Sequence, residues 1–152
     1  MKITALQRKQ LSGKIAEFER LTGSLPPVGG WIKAIRTSLG ISLEQLGNKL
    51  GISRQSVMAL EIRERGQSIT LRSLSEAAEA MDMKLVYALI PKDGSLEALI
   101  ERKAEELARK IVTRTSQSMK LEGQENSAHR LAEAFEERKA EILQKLPKAL
   151  WD

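Results

Sequence analysis

Residues 42–61, SLEQLGNKLGISRQSVMALE, decide how the chain folds. Leu46 and Leu50 stand four apart and share one face of a short helix, and Gly51 follows where a left-handed cap costs a glycine least. Ile52 plugs the turn, and Val57 and Leu60 form the inner face of the next helix. Gly47 falls where the two helices approach most closely. Helices joined in this way lock at a wide angle, and the start of the second is left projecting outward.

That projecting end is Arg54-Gln55-Ser56. A helix-turn-helix presents this end to a major groove. The side chains suit base edges: Arg bonds guanine O6 and N7 in a bidentate manner, and Gln does the same with adenine N6 and N7. Position within the motif makes base reading the favoured expectation, since exposed Arg and Gln are otherwise ordinary solvated residues.

Working outward, the pattern predicts four short helices over 31–39, 43–50, 54–63 and 71–81. Ser42, Ser53 and Thr70 precede three of them as hydroxyl N-caps, and Gly40 and Gly51 follow two. Helices this short do not stand alone in water and must share a core. Ile32, Ile35, Leu39, Leu46, Leu50, Val57, Leu60, Leu71, Leu74 and Ala78 are its expected members.

The flanks divide the chain into three expected parts. Residues 1–29 hold an amphipathic helix, with Leu11, Ile15, Phe18 and Leu21 on one stripe, and a Pro/Gly linker, SLPPVGG. Residues 30–94 hold the helix-turn-helix region and end in KLVYALI, 84–90, which reads either as a strand or as a last helical turn and an apolar loop. A lone strand needs a partner, which makes pairing with another copy of the chain attractive. Residues 95–152 read as a helical pair capped at Ser95, joined by a polar loop over 113–127, and serving dimerisation or partner binding. The fold class is therefore mainly all-α.

Charge points the same way. The chain of 152 residues carries a net charge of +5 and a pI near 9.6, values that suit a polyanionic partner. Residues 1–94 hold 14 Lys and Arg against 9 Asp and Glu, and residues 95–152 hold 11 against 11. Cysteine is absent and His129 is the only histidine, so disulfides and a His/Cys metal site are excluded. No phosphate-binding loop, nucleophile elbow or zinc-ligand spacing occurs, so neither an enzyme nor a cofactor is expected. No apolar run is long enough for a membrane span, and a cytoplasmic protein is expected. Trp31 and Trp151 are expected to pack rather than stack on bases, because aromatics make up only 3% of the chain and form no cluster.

The 42–61 segment resembles the helix-turn-helix of lambdoid phage repressors and of Cro/C1-type (XRE) regulators, over roughly residues 30–83. The resemblance implies a lambda-repressor-like helical domain that binds double-stranded DNA as a homodimer, with Arg54, Gln55 and Ala59 contacting bases. It implies capping or phosphate roles for Ser53 and Ser56, and a structural salt bridge between Arg36 and Glu61. Where that family carries a Gln that clamps a phosphate, this chain has Leu43, so phosphate contact is expected to lean on Lys49, Arg63 and Arg65. IRERGQSITLRSL and LVYALIP extend the likeness to the small bacterial regulators named mobile mystery protein A, which resemble regulators encoded beside a Fic-domain protein. That likeness implies repression of the protein's own operon, or an antitoxin-like use in which the C-terminal helices bind a Fic-type partner.

Overall fold

A computed structural model describes residues 5–121 and 128–152. Its elements are helices α1 (Ala5–Glu19), α2 (Trp31–Ser38), α3 (Leu43–Leu50), α4 (Arg54–Arg65), α5 (Leu71–Ala80), α6 (Leu96–Leu121) and α7 (Ala128–Lys145), and a short 3-10 helix (Lys148–Trp151). No strand occurs among the described residues. They form two compact units, residues 21–88 and residues 1–20 with 89–152.

In the 21–88 unit, α2 to α5 enclose Ile32, Leu46, Val57, Ala77 and Met81, with Ile35, Ile41, Leu43, Leu50, Ile69 and Leu74 packed around them. The caps explain why these short helices begin where they do. Ser42 Oγ accepts from Gln45 N at 3.0 Å while the Gln45 side chain accepts from Ser42 N at 2.8 Å, a reciprocal capping box. Thr70 Oγ1 accepts from Ser73 N at 3.1 Å at the start of α5. Each such cap contributes about 1 kcal/mol.

Two glycines make the α3–α4 turn possible. Gly51 sits at φ 69°, in the left-handed region that favours glycine. A Cβ on Gly47 would lie 2.6 Å from the Ile52 carbonyl oxygen, so only a glycine lets the turn close over α3. Ile52 N donates to Gly47 O at 2.9 Å across the same contact.

Some core expectations are corrected. Leu39 and Leu71 are exposed, and the buried stripe of α5 and its end is Leu74, Ala77 and Met81, spaced by three and four. Leu71 opens its helix and projects past the core, and Leu39 lies beyond the last turn of α2. The expected strand over 84–90 is also corrected: the chain there has neither helical nor ladder hydrogen bonds. The described residues contain no second strand to pair with it, and without pairing no strand forms.

In the other unit, α6 and α7 pack on Ala104, Ala108, Ile142 and Leu150, with Ile100, Leu107, Ile111, Phe135 and Leu146 around them. Alanines four apart on α6 let α7 and the 3-10 helix come close. Ser95 Oγ accepts from Ala98 N at 3.1 Å at the start of α6. On α1, the Ser12 hydroxyl donates to the Glu97 carboxylate at 3.1 Å. The loop expected over 113–127 is helix as far as Leu121; Thr115 Oγ1 donates to Ile111 O at 3.0 Å, so its hydroxyl is satisfied inside the helix. Residues 122–127 lie outside the described residues.

Candidate nucleic-acid interface

The start of α4 is fixed from beneath and open above. Ser53 Oγ accepts from Ser56 N at 3.1 Å and donates to Ser56 Oγ at 3.0 Å, so the two hydroxyls cap the first turn together. Val57, Leu60 and Glu61 are buried over the next two turns, while Arg54, Gln55 and Ser56 are exposed. Anchoring and exposure thus fall on different residues of the same short helix.

Two turns further along α4, Glu61 forms the only ion pair that the described residues of the 21–88 unit contain. Arg36 Nε donates to Glu61 Oε1 at 2.6 Å, and the Arg36 guanidinium also donates to the Ile41 carbonyl at 3.1 Å. Both side chains are about nine-tenths covered. This pair ties α2 to α4, and among the described residues no buried side-chain polar atom is left without a partner.

Arg63-Glu64-Arg65 reads in the sequence as an alternating charged surface, but the structure separates its members. The Glu64 carboxylate accepts from Trp31 N at 2.6 Å and Ile32 N at 2.8 Å, closing the N-terminus of α2, which Gly30 cannot cap with a side chain. Arg63 and Arg65 are exposed in the last turn of α4, and Lys49 is exposed in the last turn of α3. None of Lys49, Arg54, Arg63 or Arg65 has a carboxylate within ion-pair distance among the described residues. Their charges are free for phosphate oxygens.

Leu43 is half-buried against the core, so the position that clamps phosphate in the resembling family is used here for packing. Glu44 beside it is exposed in the first turn of α3 and adds negative charge at that helix start. Ala59 is half-buried. Two residues were missed in the sequence reading: Met58 and Ile62 stand 45% and 55% exposed on α4. Four apart and apolar, they resemble a core stripe in sequence, and only the burial of Val57, Leu60 and Glu61 shows that they face outward. An apolar side chain there is suited to a thymine methyl.

Residues 32–87 match the family model described as helix-turn-helix, a little over a third of the chain. This segment is a Cro/C1-type helix-turn-helix domain. A helix-turn-helix domain of this type belongs to DNA-binding transcription regulators, not to an enzyme family. No curated protein and no solved structure matches the chain, so the likeness to mobile mystery protein A gains no support from either. No described helix is long and apolar enough to cross a membrane.

Proposed function

We propose that the protein is a cytoplasmic homodimeric repressor that binds a palindromic operator, including that of its own operon. One observation carries this reading: Arg54 and Gln55 are exposed and unpaired in the first turn of α4, a turn fixed by the Ser53–Ser56 cap on a helix held to α2 by the Arg36–Glu61 bridge. Arg54, Gln55 and Ala59 read bases; Ser53, Ser56, Lys49, Arg63 and Arg65 hold phosphates. In this reading residues 30–94 bind DNA after the linker that closes residues 1–29, and 95–152 serve assembly. Two recognition helices about 34 Å apart match half-sites one DNA turn apart, which a two-fold dimer supplies.

The test is a mobility shift on the protein's own promoter fragment. Arg54→Ala and Gln55→Ala should each weaken operator binding by about 1–3 kcal/mol, roughly tenfold to a hundredfold, with nonspecific binding much less affected. Equal affinity of parent and variants for the operator removes the base-reading assignment.

A second reading is favoured by the separate core of α6 and α7, which the DNA-binding unit does not use. In it, the C-terminal helices grip a partner protein, a Fic-domain protein encoded nearby, and neutralise it. Mixing the full chain with that purified protein and following its activity separates the two readings, since a repressor alone leaves the activity untouched.

A further inference from the structure

The outward side of α4 changes character along its length. Successive residues of an α-helix turn by about 100°, so Gln55 and Ile62, seven apart, fall within about 20° of one line and about 10 Å apart along it. Met58 and Ala59 flank that line, one on each side. The buried Val57 and Leu60 lie roughly 140–160° around the helix from Gln55 and Ile62.

Met58 is 45% exposed and Ile62 55%, Ala59 between them is half-buried, and neither Met58 nor Ile62 belongs to a core. Helix propensity does not call for a β-branched Ile62 at an exposed position. Charge stands only at the borders: Arg65 lies about 70° off the line on the Met58 side, and Arg63 about 90° off on the Ala59 side. Both arginines are exposed.

This pattern of an apolar centre between cationic borders matches a major groove in cross-section, with base edges on the floor and phosphates along both walls. Among the groups that base pairs present on that floor, the C5-methyl of thymine is the apolar one, the others being donors and acceptors. A protein partner fits the patch poorly. Three side chains, one of them half-buried, fall far short of the about 800 Å² that each side of a stable protein interface contributes.

We propose that Met58 and Ile62 are specificity-determining residues that read pyrimidine C5-methyl groups, carrying the reading edge of α4 two turns beyond Arg54 and Gln55. The proposal rests on the DNA reading given above and names the chemistry that the rest of the same helix recognises. Gln55 suits adenine, so A·T pairs are expected along its line and thymine is the expected carrier. 5-Methylcytosine holds the same methyl on the same ring carbon.

Deoxyuridine removes that methyl and nothing else. Duplexes of the protein's own operator, with deoxyuridine in place of thymidine at one position at a time, should reveal at least one site where the full chain binds about fourfold more weakly, the weight of one buried carbon group. Met58→Ala or Ile62→Ala should bind the thymidine operator more weakly by at least that factor. The same variant should lose nothing further at that site, as coupled partners do in a double-mutant cycle. Circular dichroism and the thermal midpoint should match the parent, because both side chains lie outside the cores.

A parallel series with 5-methylcytosine for cytosine identifies the carrier. Loss on deoxyuridine assigns the methyl to thymine, whereas a gain on 5-methylcytosine that Met58→Ala or Ile62→Ala abolishes assigns it to the methylated base. Substitutions that change nothing at any position, or change parent and both variants alike, overturn the proposal. If Gln55→Ala still weakens operator binding in that case, the DNA reading stands. A chain that binds its operator no better than unrelated DNA removes both.

Discussion

The two units differ in where their ion pairs lie. In the unit of α6 and α7, several cations on α6 and α7 are bonded: Arg102 spans Asp93 at 2.7 Å and Glu106 at 2.8 Å, Lys139 spans Glu105 at 2.9 Å and Glu101 at 3.2 Å, and Arg138 and Lys145 share Glu141. In the 21–88 unit the only cation with a carboxylate, among the described residues, is buried Arg36. Lys33, Lys49, Arg54, Arg63, Arg65, Arg72 and Lys84 are all exposed and unpaired there.

Net charge alone does not reveal this contrast. Taken by structural unit, residues 21–88 hold 8 Lys and Arg against 6 Asp and Glu, and the other unit holds 17 against 14. The excess that lies before residue 95 in the sequence is shared once residues 1–20 join the C-terminal helices. What sets the DNA-binding unit apart is that its carboxylates are kept away from its cations. Glu61 and Glu64, which could have neutralised the surface of α4, are instead engaged by Arg36 and by the N-terminus of α2.

That contrast can be broken at several points. The largest effect is expected from Arg36→Ala, which leaves Glu61 buried without its partner and should cost about 3–5 kcal/mol, read as a fall in the thermal midpoint of the 21–88 unit. Next, Lys49→Ala, Arg63→Ala and Arg65→Ala combined should flatten the salt dependence of operator binding, the slope of log K against log salt falling by about 0.9 for each phosphate that is no longer neutralised. The matching removal of Lys139 and Arg138 should leave that slope unchanged, which makes it the internal control.

Ser53→Ala should cost about 1 kcal/mol of stability by uncapping α4, seen in denaturant unfolding. The smallest effect concerns pH. The side-chain hydrogen bond from Arg102 holds the Asp93 carboxyl below its ordinary range, and the bonds from Lys139 and Arg102 do the same for Glu105 and Glu106. Depressed carboxyls contribute stability that is present above their unfolded values and lost as pH falls through the folded ones. Acidification below about pH 4 should therefore loosen the α6–α7 unit slightly, as followed by circular dichroism, with screening by solvent keeping the effect small.

Much of the DNA-binding unit was legible in the sequence, for local reasons. Ser42, Ser53 and Thr70 are N-caps whose effect lies within one turn, and they place the starts of α3, α4 and α5 where the hydroxyl pattern puts them. Gly47 marks the turn because a Cβ there would strike the Ile52 carbonyl, and Gly51 because its left-handed φ favours glycine. The role of Glu64 was not legible, since its partners Trp31 and Ile32 lie more than 30 residues away and no spacing rule connects them. The exposure of α1 was not legible either: its apolar stripe announces a helix with a buried face, yet none of its residues is buried. Residues 113–121 misled for a local reason: Ser and Thr favour loops only until a hydroxyl finds a carbonyl one turn back, as Thr115 does.

The most direct test joins one side chain to one atom of the DNA. Operators carrying 7-deazaguanine at each guanine in turn should reveal a position where losing N7 weakens the parent protein about tenfold or more. Arg54→Ala should show no further loss from the same substitution. If parent and variant lose the same affinity at every guanine, Arg54 does not read N7, and the outward edge of α4 is not the reading surface described.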